Sequence, residues 1–167
     1  MLRPVVYAFI DSQNLNLGVR SQGWVLDFHK FRRYLRDKFR VSKALLFIGY
    51  VEKYQSLYHK LTSFDYILVF KPTVMSRNSK TKGNIDAELV LYAAAIEYQQ
   101  YHKAVIVSGD GDFYCLYEFL DQRNKLLRII IPNNKSESSL LKKFANYRVC
   151  LNFEKNRLAI KIGGRCL

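Results

Sequence analysis

Apolar runs too continuous to be half-buried strands alternate along this chain with stretches of helical period. Pro4-Val-Val-Tyr-Ala-Phe-Ile10, Lys43-Ala-Leu-Leu-Phe-Ile-Gly-Tyr-Val51, Tyr66-Ile-Leu-Val-Phe70, Lys103–Val107 and Lys125-Leu-Leu-Arg-Ile-Ile-Ile131 read as strands buried on both faces. Tyr147-Arg-Val-Cys-Leu151 is a sixth, shorter candidate. Helical spacing runs through Phe28, Phe31, Leu35 and Phe39 after a capping Asp27. It returns in Glu52 to Leu61, and in Ile85, Leu89, Tyr92 and Ile96 after Asn84. A helix opens at Gly111 with Phe113, Leu116, Tyr117 and Leu120, and Ser136 or Ser138 caps a last one to Asn146. Asp11 to Gly18 reads as a loop. Strands alternating with helices imply right-handed crossovers, hence an α/β fold: a three-layer α/β/α sandwich around a mostly parallel sheet.

The length of 167 residues favours one domain, over 1–153, followed by a basic C-terminal tail over 154–167. No apolar stretch is long enough for a membrane span, and no secretory signal is visible, so a cytoplasmic protein without a membrane partner is expected. Three dispersed cysteines and three histidines show neither a disulfide framework nor ligand spacing. The formal net charge of +13 suits a polyanionic partner.

In an open parallel sheet, ligands bind outside the carboxyl ends of the strands, near the switch in strand order. Asp11 ends the first strand. Asp110 and Asp112 follow the fourth, in Ala104-Val-Ile-Val-Ser-Gly-Asp-Gly-Asp-Phe113. Asp86 lies in the first turn of the helix that must run back to the start of that strand. If strands one and four are neighbours, these acids meet. Each alone has a plain explanation: a turn residue at Asp11, a helix cap at Asp112, dipole compensation at Asp86. Together they suit Mg²⁺ or Mn²⁺, hard ions that take oxygen ligands and act on phosphodiesters.

At these residues the chain resembles the NYN domains, a branch of the PIN-like metal-dependent ribonucleases. Phe9-Ile-Asp-Ser-Gln-Asn-Leu15 is similar to the family's opening motif, Lys82-Gly-Asn-Ile-Asp86 to its Lys-Gly-x-x-Asp, and Ser108-Gly-Asp-Gly-Asp-Phe113 to its Ser-Gly-Asp-x-Asp-Phe. The resemblance implies Mg²⁺ or Mn²⁺ at Asp11, Asp86, Asp110 and Asp112. It implies an orienting catalytic role for Asn14, with Ser108 steadying the acidic turn beside substrate and Lys82 meeting a phosphate. Lys80, Arg77 and Arg20 join the substrate-binding set as cations that track the backbone. The chain departs from the family pattern at Ser12, Tyr92 and Asn146, the last two standing where further acids are common.

The expected activity is hydrolysis of RNA by metal-activated water, with single-stranded or looped RNA as substrate because Tyr or Phe near the crevice can stack on unpaired bases. A non-catalytic RNA-binding module that keeps the acids as a metal-ordered scaffold is the alternative. An aspartyl-phosphate phosphohydrolase is a weaker one, since position 13 is Gln rather than a second Asp. The resemblance also allows a homodimer.

Overall fold

The computed structural model describes residues 3–71 and 85–161. Six strands form one parallel sheet: β1 (Val6–Asp11), β2 (Val41–Gly49), β3 (Tyr66–Lys71), β4 (Lys103–Val107), β5 (Leu126–Ile131) and β6 (Arg148–Cys150). Their order is β3-β2-β1-β4-β5-β6, so the chain reverses its direction of travel between β1 and β4. The neighbours on which the meeting of acids depended are therefore paired, Ile10 lying beside Val107.

The helices are α1 (Ser12–Arg20), α2 (Phe28–Phe39), α3 (Gln55–Ser63), α4 (Ile85–Leu91), α5 (Tyr114–Gln122) and α6 (Lys155–Leu158). Alternate residues of each central strand feed two cores. Val6, Ala8 and Ile10 pack with Leu15 and Val19 of α1, Phe31 and Leu35 of α2, and Leu158 of α6. Tyr7 and Phe9 pack with Leu89 of α4, Leu116, Tyr117 and Leu120 of α5, and Phe144. Two cores on the two faces of one sheet make the three-layer α/β/α architecture.

The stretch read as a loop after Asp11 is α1. Its sequence, Ser12-Gln-Asn-Leu-Asn-Leu-Gly18, is poor in helix formers, and tertiary context overrides that propensity. The Asp11 carboxylate accepts from the Asn14 N–H at 3.0 Å and caps the helix, while Leu15 and Val19, four apart, are fully buried.

Two further differences have local causes. Helix α4 widens into a π turn over Tyr92–Ile96, closed by Glu97 N–H to the Tyr92 carbonyl at 2.9 Å. The extra residue rotates the apolar face, so Ala93 is buried and Ile96 is 54% exposed. Arg32, read as part of the polar face of α2, is only 6% exposed. Its guanidinium donates to the carbonyls of Val41, Ser42 and Asp65 and pairs with the Asp65 carboxylate at 2.6 Å, clamping the amino ends of β2 and β3.

The stretch read as a basic tail packs back on the body through residue 160. Leu158 is fully buried, Asp27 N–H donates to its carbonyl, and Leu26 bridges Ala159. No helix among the described residues is long and apolar enough to cross a membrane.

Candidate active site at the carboxyl edge of the sheet

A crevice of about 510 Å³ opens at the carboxyl ends of β1 and β4. Asp11, Asp86 and Asp110 line it, with Gln13, Asn14 and Leu17 of α1, Gly109, and Asn133 and Ser136 from beyond β5. Among the described residues, none that lines it is a Lys or Arg.

The acidic turns are fixed by their own main chain. Asp11 Oδ1 accepts from Asn14, and Asp110 Oδ1 accepts from the N–H of Asp112 at 3.0 Å. The cap expected of Asp112 thus belongs to Asp110, which opens a 3₁₀ turn over Gly111–Phe113. Asp112 is exposed at the rim and shares a shallow hollow with Asp86. The Asn14 side-chain oxygen accepts from Gly109 N–H at 2.9 Å, locking the start of α1 to the turn that carries Asp110. Ser108 is fully buried and its Oγ accepts from Asp110 N–H at 3.1 Å. It steadies the turn, as expected, and does not line the crevice where substrate would sit.

Burial and mutual repulsion load these carboxylates. Asp11 is 5% exposed, and burial above all raises its pKa from 3.8 to about 6. Asp86 and Asp110 push in the same direction, and main-chain N–H bonds from Asn14 and Gln13 oppose them. Asp86 is also raised, first by burial and then by Asp110 and Asp112, with Lys71 at the end of β3 pulling the other way. Burial holds the Lys71 ammonium below its usual range, and its Nζ has no hydrogen-bond partner among the described residues.

The donor set is all oxygen, and among the described residues no Lys or Arg lines the crevice beside it, which fits a hard divalent cation. Among the described residues no three of the His, Cys, Asp and Glu side chains are already drawn together as one ion's ligands. That spacing suits an ion held by one or two carboxylates plus waters and phosphate oxygens, the usual manner of Mg²⁺, and not a closed protein cage.

Of the other cations expected at the site, Arg20 alone is among the described residues. Lys80, Lys82 and Arg77 lie outside the described residues. Arg20 ends α1, exposed, with its Nε donating to Asn16 at 3.1 Å, and does not line the cavity. Among the described residues no aromatic ring lines it. Asn133 and Ser136 were not anticipated. The signal available was Pro132, which ends β5 at this same edge and delivers the residues after it to the rim.

Two glycines owe their place here to close packing. A Cβ on Gly18 would stand 2.6 Å from Pro132 Cβ, and one on Gly111 2.3 Å from Ser138 Oγ. Gly18 thus lets α1 lie against the end of β5. Gly18→Ala is expected to cost about 1–3 kcal/mol in chemical denaturation. An unchanged midpoint would mean that α1 moves freely relative to Pro132.

With this arrangement in view, comparison with known proteins gives a consistent placement. The NYN domain model matches residues 5–152, so the chain belongs to the NYN domain family, within the PIN-like nuclease superfamily. A crystal structure of a Vibrio parahaemolyticus protein of unknown function is similar to it, with a TM-score of 0.75 and 23% identity over 95% of this chain and 99% of that one. That likeness bears on the fold alone. No functionally curated protein matches.

Proposed function

We propose that the protein is a divalent-metal-dependent ribonuclease acting at this crevice. The observation that carries the reading is three aspartates from β1, α4 and the β4 turn lining one cavity, with no Lys or Arg lining it among the described residues, in a protein of net charge +13. Asp11, Asp86 and Asp110 would hold Mg²⁺ or Mn²⁺, with Asp112 contributing from the rim. When bound, such an ion polarises a phosphoryl oxygen and makes water a nucleophile near neutral pH.

The chain's own groups do the positioning. Main-chain N–H groups fix Asp11 and Asp110 at Oδ1, so neither carboxylate has to be ordered when substrate arrives. Asn14 holds the two acidic turns in register through Gly109. Half-buried walls around Asp11 strengthen the charge interactions made there. Among the described residues neither a His nor a Ser–base pair lines the cavity.

The test is cleavage of labelled single-stranded RNA by purified protein with Mn²⁺, Mg²⁺ or EDTA. Cleavage is expected with either ion, abolished by chelation and restored by excess Mn²⁺. Cleavage that survives EDTA, or none with any ion, would overturn the assignment. RNA binding without cleavage would instead establish the non-catalytic module, a reading favoured by the acids not already being drawn together and by Tyr92 and Asn146 at the expected acid positions.

A further inference from the structure

The acidic crevice does not end at its wall. Ser21 and Asn133 also line a second hollow of about 290 Å³, which continues outward over the end of β5. Its character is different. Gln22, Asn152, Lys135 and Lys155 line it, and the indole of Trp24, nearly fully buried, forms part of its floor.

The amides in this shelf are preorganised. Asn133 donates to Ser21 Oγ at 2.9 Å, and its oxygen accepts from Asn152 Nδ2 and from Lys135 N–H. Asn152 accepts in turn from Asn134 N–H at 3.0 Å. Gln22 is tied to the Gly18 and Pro132 carbonyls. Side chains from α1, the β5 loop and the turn before α6 are thereby locked into one polar surface. Asn133 and Asn152 each retain a second amide hydrogen for a ligand.

Lys135 and Lys155 are exposed, and neither forms an ion pair among the described residues. Phe153, between Asn152 and Lys155 on the same turn, is 89% exposed. An unburied ring one residue from Asn152 and two from Lys155, together with two unpaired lysines and a rigid amide surface, suits an unpaired nucleotide: stacking on the ring, phosphate on the cations.

We infer that this shelf binds the single-stranded RNA flank leaving the acidic crevice, with Lys135 and Lys155 on its phosphates and Phe153 against a base. The inference rests on the ribonuclease reading for its ligand. The described residues that line the acidic crevice give a polyanion three aspartates and no Lys or Arg. A flank that leaves the crevice past Ser21 and Asn133, which line both hollows, meets Lys135 and Lys155 on this shelf.

The experiment is fluorescence anisotropy in EDTA, so that no cleavage is needed, with single-stranded oligoribonucleotides of increasing length across a salt series. Wild type is expected to gain affinity once the strand outgrows the crevice. The double variant Lys135→Ala, Lys155→Ala is expected to lose about tenfold or more on the long strand, with its salt slope shallower by about 1.4. Phe153→Ala is expected to weaken single-stranded binding about tenfold and leave duplex binding unchanged. All three substitutions are at exposed positions, and unchanged thermal unfolding checks the fold. A long strand bound equally by wild type and double variant, with equal slopes, overturns the shelf. In the metal-supplemented cleavage assay, wild-type activity with insensitive shelf variants sinks the shelf alone. Salt-slope loss in a protein that never cleaves keeps the shelf and sinks the nuclease.

Discussion

Replacing Asp110 by Asn is expected to lower metal-dependent RNA cleavage by at least about 100-fold while leaving the fold in place. Asparagine keeps the oxygen that accepts from Asp112 N–H, so the 3₁₀ turn and the Ser108 contact at its entrance survive. What disappears is one negative charge in the crevice. Outer-shell partners of metal ligands already cost about 10–100-fold when removed, and a first-sphere ligand is worth at least that much. RNA binding in EDTA is expected to hold or tighten, because the substitution removes a charge that repels phosphate. Asp112→Asn is expected to cost less, since Asp112 is exposed at the rim and does not line the main cavity. Single-turnover rates at saturating Mn²⁺ for the two variants check this ranking. Equal activity of Asp110→Asn and wild type would remove Asp110 from the chemistry.

The sheet was legible because burial on both faces leaves little freedom in composition. Strands that cross the middle of an α/β sandwich must be apolar at nearly every position, and Ala104 to Val107 or Ile129 to Ile131 carry that constraint openly. The acids were legible through topology: each ends a strand or begins a helix, and parallel connection puts those ends on one edge. Their meeting depended on β1 pairing with β4, which no local pattern encodes.

What escaped the sequence is decided by tertiary contact. Helix α1 is carried by a cap and two buried side chains, with low intrinsic propensity between them. Arg32 looks like any arginine on a polar face, and only the carbonyls at the ends of β2 and β3 make its burial favourable. Asp110 and Asp112 both fit the composition of a cap, and the choice between them is a matter of which N–H the turn presents. The amide shelf has no motif at all, because Ser21, Asn133 and Asn152 come from three segments far apart in the chain. A rule that reads every strand end at the carboxyl edge, including that of β5 at Pro132, would have reached Asn133.

Asp11→Asn is expected to stabilise the metal-free protein by about 2–3 kcal/mol near neutral pH, although it removes a residue assigned to the site. A folded-state pKa raised from 3.8 to about 6 means that the folded protein binds this proton more tightly than the unfolded chain. Below about pH 4 both states are protonated and Asp11 costs nothing. As pH rises from about 4 through about 6, the unfolded chain releases the proton first, and folding loses stability. The full penalty, roughly 3 kcal/mol at most, is in place above that range. Asparagine has no such titration and keeps the oxygen that caps α1 through Asn14 N–H. In EDTA, the denaturation midpoints of variant and wild type should therefore converge near pH 4 and separate towards pH 7.5, with the variant higher. A divalent ion should reverse the order. At about 1,000 times its dissociation constant it stabilises the protein that binds it by about 4.1 kcal/mol, more than the penalty, and wild type retains the carboxylate that favours it. The same charge that costs stability in the empty crevice is thus what gives the crevice its affinity for a cation. A variant less stable than wild type at every pH in chelator would show instead that Asp11 is held for its structural contacts alone.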